Sequence, residues 1–198
     1  IGPDGARDLL VNLLMSWRWK RPVLDPRLLL GAIGASMVGG WLPWRPNVWI
    51  TGPRGTGKST LNGESGVLDE LFGGGQFRTG NASAAAIRQS LLNSTVPVMF
   101  DEIEAGADNR RVTEVIELAR VASSGEKMHR GGQDHKAMEF TLRSAFWFSS
   151  INIPPLKPQD RSRLAILELQ KLPKGSAPPV LAKFALPQLG QQLMRRMV

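Results

Sequence analysis

Residues 52–59 read GPRGTGKS, and they directly follow a strand-like segment, VWIT at residues 48–51. The stretch fits the pattern G-x-x-x-x-G-K-[ST], in which glycines let backbone N–H groups turn inward around a phosphate. A helical pattern begins at Lys58 and would add the positive end of a helix dipole. We expect Lys58 to reach the β- and γ-phosphates of a nucleotide and the Ser59 hydroxyl to bind Mg²⁺. The expected nucleotide-binding residues are Gly52, Pro53, Arg54, Gly55, Thr56, Gly57, Lys58, Ser59 and Thr60. The alternative is a glycine-rich turn that binds nothing.

An apolar segment at residues 96–100, VPVMF, leads directly into Asp101 and Glu102. A buried strand that ends in two carboxylates suits a nucleotide hydrolase: Asp101 would hold Mg²⁺, and Glu102 would act as the general base on water. The glutamate favours hydrolysis over phosphoryl transfer to a metabolite. Taken alone, the pair could also be an ordinary surface turn.

Strand-like and helix-like segments alternate between residues 47 and 169, which is typical of a parallel α/β sheet. The predicted strands are 48–51, 76–79, 96–100, 145–151 and 165–169, and the predicted helices are 58–71, 82–93 and 109–122. We therefore predict an α/β fold with a central, mostly parallel five-stranded sheet between helices. An N-terminal helical segment (1–45) with helices at 4–20 and 26–38 would precede the core (46–172). Residues 173–198 would form a tail or a partial lid.

Polar residues next to two further predicted strands are candidates for roles in hydrolysis. Asn152 comes after the apolar strand at 145–151, where it could position the attacking water or simply begin the turn before Pro154. Arg161 and Arg163 precede the last strand, where an arginine can project into the nucleotide site of a neighbouring subunit as an arginine finger. We prefer Arg163, keep Arg161 as second choice, and retain a surface ion pair as the alternative.

Lys and Arg number 25 against 17 Asp and Glu, which gives a net charge of +8 and favours a polyanionic partner such as nucleic acid. The absence of cysteine excludes a disulfide scaffold, a zinc ribbon and a thiol nucleophile. Between residues 126 and 140 a basic segment can turn a hairpin at Gly131 and Gly132. The candidate DNA-contacting residues on it are Lys127, His129, Arg130, His135 and Lys136. An ordinary solvated hairpin is the alternative, and the two histidines lack a metal-ligand spacing.

The longest charge-free stretch, residues 28–44, is too short and too rich in glycine and proline for a membrane span. No signal peptide is visible, so we expect a cytoplasmic protein without membrane contact. The first residue is Ile1. We expect the chain to be cut from a longer polypeptide.

Four segments carry a family resemblance: GPRGTGKST, RTGNASAAAIRQSLLNSTVPVMFDEIEA, ELARVASSGEKMHRGG and RSAFWFSSINIPPLKPQDRSRLAILEL. Together they resemble the ATPase module of phage and mobile-element primase-helicases, which is similar to superfamily 3 and AAA+ helicases. The resemblance covers roughly residues 25–172. It implies an AAA+-like P-loop fold, with ATP and Mg²⁺ bound between the subunits of a hexameric ring, in a bacterial or phage-infected host cell. It also implies movement on single-stranded or forked DNA, a basic hairpin that contacts DNA, and a primase-type domain ahead of the module.

Three other functions remain open at this point. An AAA+ initiator or helicase loader would use ATP to assemble on DNA without unwinding it. A small-molecule kinase would be a monomer with an acceptor pocket and no response to DNA. A structural subunit with a vestigial site is disfavoured by the intact set of Lys58, Ser59, Asp101 and Glu102.

Overall fold

The computed structural model describes residues 5–101, 103, 109–131, 137–173 and 184–197, with the backbone alone at 109, 128–131 and 137–140. Its strands are β1 (Asn47–Thr51), β2 (Phe77–Thr79), β3 (Val98–Phe100), β4 (Met128–Gly131), β5 (Ala137–Phe140), β6 (Phe146–Ser150) and β7 (Leu164–Glu168). Its helices are α1 (Gly5–Met15), α2 (Asp25–Met37), α3 (Lys58–Asn62), α4 (Val67–Phe72), α5 (Ala84–Leu91), α6 (Asn109–Ser124), α7 (Pro158–Arg161) and α8 (Leu186–Met194).

A five-stranded sheet in the order β2-β3-β6-β1-β7 forms the centre of the molecule, and every neighbouring pair in it is parallel. The two central strands, β1 and β6, are buried along their whole length. Strands covered on both faces read as continuous apolar runs, which is why the sequence pattern identified them. The predicted α/β fold with a five-stranded parallel sheet between helices is confirmed.

The sheet separates two hydrophobic cores, because successive side chains of a strand point to opposite faces. Val48 and Ile50 of β1 and Trp147 of β6 face the first core, which they share with α1, α2, α4 and α8. Trp49 and Phe148 face the second core, where α5 and α6 pack. The N-terminal helices and the C-terminal helix therefore pack on the same face of the sheet.

Two predicted helices have different bounds in the structure. The helix expected over 58–71 is broken into α3 and α4. Gly63 and Gly66 lie at the break, and between them Ser65 takes a left-handed backbone with φ of 56°. The first helix, expected to reach residue 20, ends at Met15. The following residues pair instead with the end of β7, through an antiparallel bridge between Trp19 and Leu169.

A two-stranded antiparallel hairpin follows α6, with His129 opposite Glu139 and Gly131 opposite Ala137. This pairing confirms a hairpin between residues 126 and 140. The turn predicted at Gly131 and Gly132 is wrong at Gly131, because Gly131 is the last residue of β4 and pairs with β5; residues 132–136 lie outside the described residues. None of the helices in the described part of the chain is both long and apolar enough to cross a membrane.

Parallel strands give the sheet two chemically distinct edges. The segments that follow β1, β3 and β6 meet at one edge, here called the carboxyl edge, and the segments that precede these strands meet at the opposite amino edge. From β1 the chain crosses to β2 at the far side of the sheet, and it later returns to place β7 on the other side of β1. In open α/β sheets, ligands bind at the carboxyl edge where the direction of winding reverses.

Candidate functional site

A cavity of about 1130 Å³ opens at the carboxyl edge. Its volume is slightly above the range of about 300–1,000 Å³ that is usual for small-molecule sites. The glycine-rich loop, the ends of β3 and β6, and two apolar residues from distant segments enclose it. The lining residues are Trp17, Arg54, Gly55, Thr56, Gly57, Lys58, Ser59, Thr60, Gly63, Glu64, Gly80, Asp101, Ser149, Ser150, Ile151 and Leu172.

The loop between β1 and α3 requires glycine at two positions. Gly52 has a φ of 155°, and a Cβ placed on it would lie 2.4 Å from the carbonyl oxygen of Leu169. Gly57 is the N-terminal cap of α3 in the left-handed conformation, with a φ of 84°. An L side chain is strained in that region of backbone space. The glycines predicted to shape a phosphate-binding loop are therefore needed for the loop to take this course.

Lys58, Ser59 and Thr60 form the first turn of α3, and all three line the cavity. The Lys58 ammonium donates hydrogen bonds to the carbonyl oxygens of Gly52 and Pro53, the second at 3.0 Å. Lys58 is half-buried, whereas Ser59 and Thr60 are exposed. The structure thus brings a lysine cation and two hydroxyl groups to the same side of the loop.

Trp17 is a residue of the site that the sequence pattern did not reveal. It lies just beyond α1 and is buried, with 4% of its surface exposed. Its indole N–H donates a 3.1 Å hydrogen bond to the carbonyl oxygen of Gly57, 40 residues away in the chain. A Cβ on Gly57 would lie 2.7 Å from the same indole nitrogen, so Trp17 fixes the position of the loop where α3 begins.

Asp101 follows β3 and lines the cavity, and Arg78 and Asn62 contact its carboxylate. Arg78 of β2 approaches one carboxylate oxygen at 2.7 Å, and the Asn62 amide donates to the other at 3.2 Å. Arg78 also contacts Asp69 at 3.1 Å and the carbonyl oxygen of Asn62 at 2.8 Å. Arg78 and Asn62 therefore fix the orientation of the Asp101 carboxylate at the cavity.

The third side of the cavity is formed by the end of β6. Ser149, Ser150 and Ile151 line it, whereas Asn152 is exposed and is not among the lining residues. The Ser150 hydroxyl accepts a 2.8 Å hydrogen bond from the indole of Trp49. Sequence analysis singled out Asn152 and passed over Ser149, because the strand was expected to continue to residue 151. Glu102, the predicted general base, lies outside the described residues.

Arg163 and Arg161 lie on the connection between β6 and β7 and differ in their surroundings. Arg163 donates hydrogen bonds to the hydroxyl groups of Ser123, at 3.0 Å, and Ser124, at the end of α6. Arg161 ends α7 and is exposed. Arg163, the preferred finger, is thus bonded within its own chain, whereas Arg161 is on the surface.

Two ion pairs attach this connection to α6. Arg120 contacts the buried Asp160 at 3.1 Å, and Lys157 contacts Glu117 at 2.6 Å. The hydrogen bond from Lys157 lowers the pKa of the Glu117 carboxyl, and the same bond raises the pKa of Lys157. Both pairs hold the short helix α7, and with it Arg161, against α6.

Three of the predicted DNA-contacting residues lie in the described part of the chain, between α6 and β6. Lys127 is exposed at the base of the hairpin, and His129 and Arg130 lie on β4. His135 and Lys136 fall in the segment outside the described residues.

The donor set of the cavity fits a magnesium nucleotide better than a metal held by protein alone. Within the described residues, no group of three or more His, Asp or Glu side chains could hold a metal ion. Mg²⁺ is usually bound by one or two protein oxygen ligands together with substrate phosphates and waters. The Ser59 hydroxyl and the Asp101 carboxylate are oxygen donors of that kind.

Comparison with known proteins identifies a structural neighbour. No family model matches the chain, and no curated protein matches it in sequence. The apo A form of the C-terminal region of NrS-1 matches with a TM-score of 0.54 and 16% sequence identity. The match covers 96% of this chain and 44% of that one, so the chain spans less than half of the NrS-1 region. At this identity, the likeness shows a shared fold.

Proposed function

We propose that this chain is a Mg²⁺-dependent ATPase of the AAA+-like P-loop class that couples hydrolysis to movement along DNA. The observation that carries the proposal is the cavity at the carboxyl edge. There the glycine-rich loop, Lys58, Ser59 and Asp101 line one space at the end of the central strands. The fold shared with the C-terminal region of NrS-1 and the resemblance to phage and mobile-element primase-helicase modules support the same class.

The loop would hold the phosphates of ATP through the backbone N–H groups of residues 54–57 and the Lys58 ammonium. Ser59 and Asp101 would hold Mg²⁺, which when bound neutralises the charge that develops on the phosphates. Arg78 and Asn62 keep the Asp101 carboxylate in a fixed orientation. Glu102 would accept the proton of the attacking water. Asn152, expected to orient that water, does not line the cavity and has no role in the proposed mechanism.

Ser149 is a further candidate for contact with the terminal phosphate, because it lines the cavity where Asn152 does not. For action across a subunit boundary we now favour Arg161 over Arg163, since only Arg161 is exposed. The ring, its hexameric state and a primase-type domain ahead of this module remain parts of the proposal that rest on the family resemblance.

The test is Glu102→Gln, which keeps the size of the side chain and removes the base. We expect this variant to bind ATP like the wild type and to lose nearly all turnover, since a general base contributes about 10²–10⁴-fold to the rate. Glu114→Gln, an exposed position on α6, is the matched control and should hydrolyse ATP normally. Turnover that survives in Glu102→Gln would remove this residue from the mechanism. A wild-type protein that neither binds nor hydrolyses ATP would refute the proposal itself.

Unwinding is measured separately, on a forked DNA labelled on the displaced strand. Strand displacement that needs ATP and is lost in Glu102→Gln supports a translocating motor. ATP hydrolysis and DNA binding without displacement would instead identify an ATP-dependent switch, such as an initiator or a helicase loader.

A further inference from the structure

The amino edge of the sheet carries exposed aromatic rings. Trp41 and Trp44 lie in the segment that leads from α2 into β1, and 86% and 47% of their surfaces are exposed. Trp41 is the most exposed of the large apolar side chains in the described part of the chain. The neighbouring Leu92, which precedes β3 at the same edge, is 47% exposed. Rings left in water in this way lose the favourable free energy of burial unless a partner covers them.

A buried cation lies directly beside this segment. Arg45 follows Trp44, has only 1% of its surface exposed, and donates one hydrogen bond of 2.8 Å to the carbonyl oxygen of Leu42. Within the part of the chain that the structure describes, its Nε and Nη1 atoms have no hydrogen-bond partner. Buried guanidinium groups are normally paired with an acid or fully hydrogen-bonded, because a buried charge without partners is costly.

A second arginine lies next to the first. The Arg45 Nη2 atom and the Arg143 Cγ atom both approach Gly125, at 3.3 Å and 3.5 Å from the position that a Cβ would take there. Burial lowers the pKa of Arg45, and the positive charge of Arg143 lowers it further. Arg143 is exposed, as is Lys127, two residues beyond Gly125. Arg45 and Arg143 therefore place two positive charges next to each other at the amino edge.

Four exposed residues define what is here called the amino-edge surface, with Arg45 buried beside Arg143: Trp41, Trp44, Lys127 and Arg143. The aromatic segment meets the segment of Arg143 at Gly39. A Cβ placed on Gly39 would lie 3.4 Å from the carbonyl oxygen of Arg143. The backbone N–H of Arg45 also donates to the carbonyl oxygen of Ser123, which places the buried arginine at the end of α6. Exposed rings next to cations are what single-stranded nucleic acid requires, since bases stack on the rings and phosphates pair with the cations.

We propose that single-stranded nucleic acid binds the amino-edge surface, with bases stacked on Trp41 and Trp44 and a phosphate drawn to Arg143 above the buried Arg45. The site differs from the tip of the hairpin and lies at the edge of the sheet opposite the nucleotide cavity. It deepens the proposed function, because it names where the nucleic acid of the motor lies. Binding at this surface needs no ATP, so it can be measured whether or not the chain hydrolyses a nucleotide.

The main test measures fluorescence anisotropy of a labelled oligothymidine with the 198-residue chain. Replacing both rings, Trp41→Ala with Trp44→Ala, should weaken binding at least about tenfold, because each stacked base contributes substantially to affinity. The matched control is Val23→Ala with Leu28→Ala, two exposed apolar residues that lie away from this surface. The control should keep wild-type affinity. All four side chains are exposed, so both double variants should fold normally.

The electrostatic part is tested by the dependence of affinity on salt. Arg143→Gln should reduce the slope of log K against log salt by about 0.7, the value for one phosphate contact on a single strand. Arg110→Gln removes the same charge from the far end of α6, where the Arg110 side chain is 90% exposed, and should leave the slope unchanged.

Three results would overturn the inference: a wild-type protein without affinity for oligothymidine, a double tryptophan variant that binds like the wild type, or equal losses in the test and control pairs. A preference for duplex over single-stranded DNA, with no effect of the tryptophan substitutions, would place nucleic-acid binding elsewhere on the chain. That result would count against the inference equally. Loss of ATP hydrolysis in Glu102→Gln has no bearing on these outcomes. The two proposals can therefore fail independently.

Discussion

Arg78 is expected to be a major source of stability at the nucleotide cavity, and Arg78→Ala tests this directly. Its guanidinium contacts the carboxylates of Asp101 and Asp69 at 2.7 and 3.1 Å, and it donates to the carbonyl oxygens of Asn62 and Gly63 at 2.8 and 3.3 Å. Removal leaves two carboxylates without this cation and two carbonyl groups without this donor.

The magnitude follows from the burial of the three side chains. Hydrogen bonds to charged groups contribute about 1.5–3 kcal/mol each, and breaking a fully buried ion pair costs about 3–5 kcal/mol. The side chains of Arg78, Asp69 and Asp101 are 20%, 24% and 33% exposed, so water screens part of the interaction. We expect Arg78→Ala to lower the free energy of unfolding by about 2–4 kcal/mol.

Thermal unfolding followed by circular dichroism measures the change. For a chain of this length, 1 kcal/mol shifts Tm by about 2–4 °C, so a decrease of about 5–15 °C is expected. Arg110→Ala is the matched control, because Arg110 makes one exposed ion pair with Glu114, and it should cost less than about 0.5 kcal/mol. Arg78→Lys should fall between the two, since an ammonium cannot span both carboxylates as the planar guanidinium does.

A double-mutant cycle separates the ion pair from general packing. Arg78→Ala and Asp101→Ala should show a coupling energy of at least about 1 kcal/mol, as residues in one network do. A change in stability no larger than that of Arg110→Ala, or additive effects in the cycle, would refute the role given to Arg78.

Two further predictions concern contacts around the site. Trp17→Phe removes the hydrogen bond to Gly57 and should destabilise the chain by about 1–3 kcal/mol, as measured by urea unfolding. It should also weaken ATP binding, as measured by nucleotide titration. Unchanged affinity for ATP would show that Trp17 does not position the loop. Glu117→Gln removes the partner of Lys157 and should slightly lower the urea midpoint at neutral pH. The pKa of Glu117 is below its ordinary value of 4.5, so this contribution is present above that value and lost as pH falls through the folded-state pKa. The two proteins should therefore unfold alike in acid, and an effect that persists there would contradict the ion pair as its cause.

Local patterns were sufficient to identify the strands of the sheet and its parallel α/β class. Continuous apolar runs at 98–100 and 146–148 identified buried strands, because parallel strands are covered on both faces. The same patterns missed the break between α3 and α4, although Gly63 and Gly66 stand only three residues apart. Glycine is tolerated inside a helix at a modest cost, so its presence alone did not decide the boundary.

The cavity was predicted in part. The loop was found from its short glycine-lysine pattern, and Asp101 was found from its position directly after an apolar strand. Sequence analysis did not find Trp17, Arg78 and Ser149. Trp17 meets Gly57 across 40 residues of chain, and Arg78 meets Asp101 across 23. Such contacts depend on how the segments around α1 and β2 pack against the rest of the chain. No local sequence pattern in either segment predicts them.

The sequence by itself determined that the chain forms a parallel α/β sheet and that its first central strand ends in a glycine-rich loop with a lysine. Both follow from interactions between neighbours in the chain: periodic burial, and the backbone freedom of glycine. Only the tertiary structure decided the strand order, which side chains hold Asp101, and that Arg45 lies buried beside Arg143. These depend on packing between segments far apart in the chain, where burial and charge are set by the assembled fold.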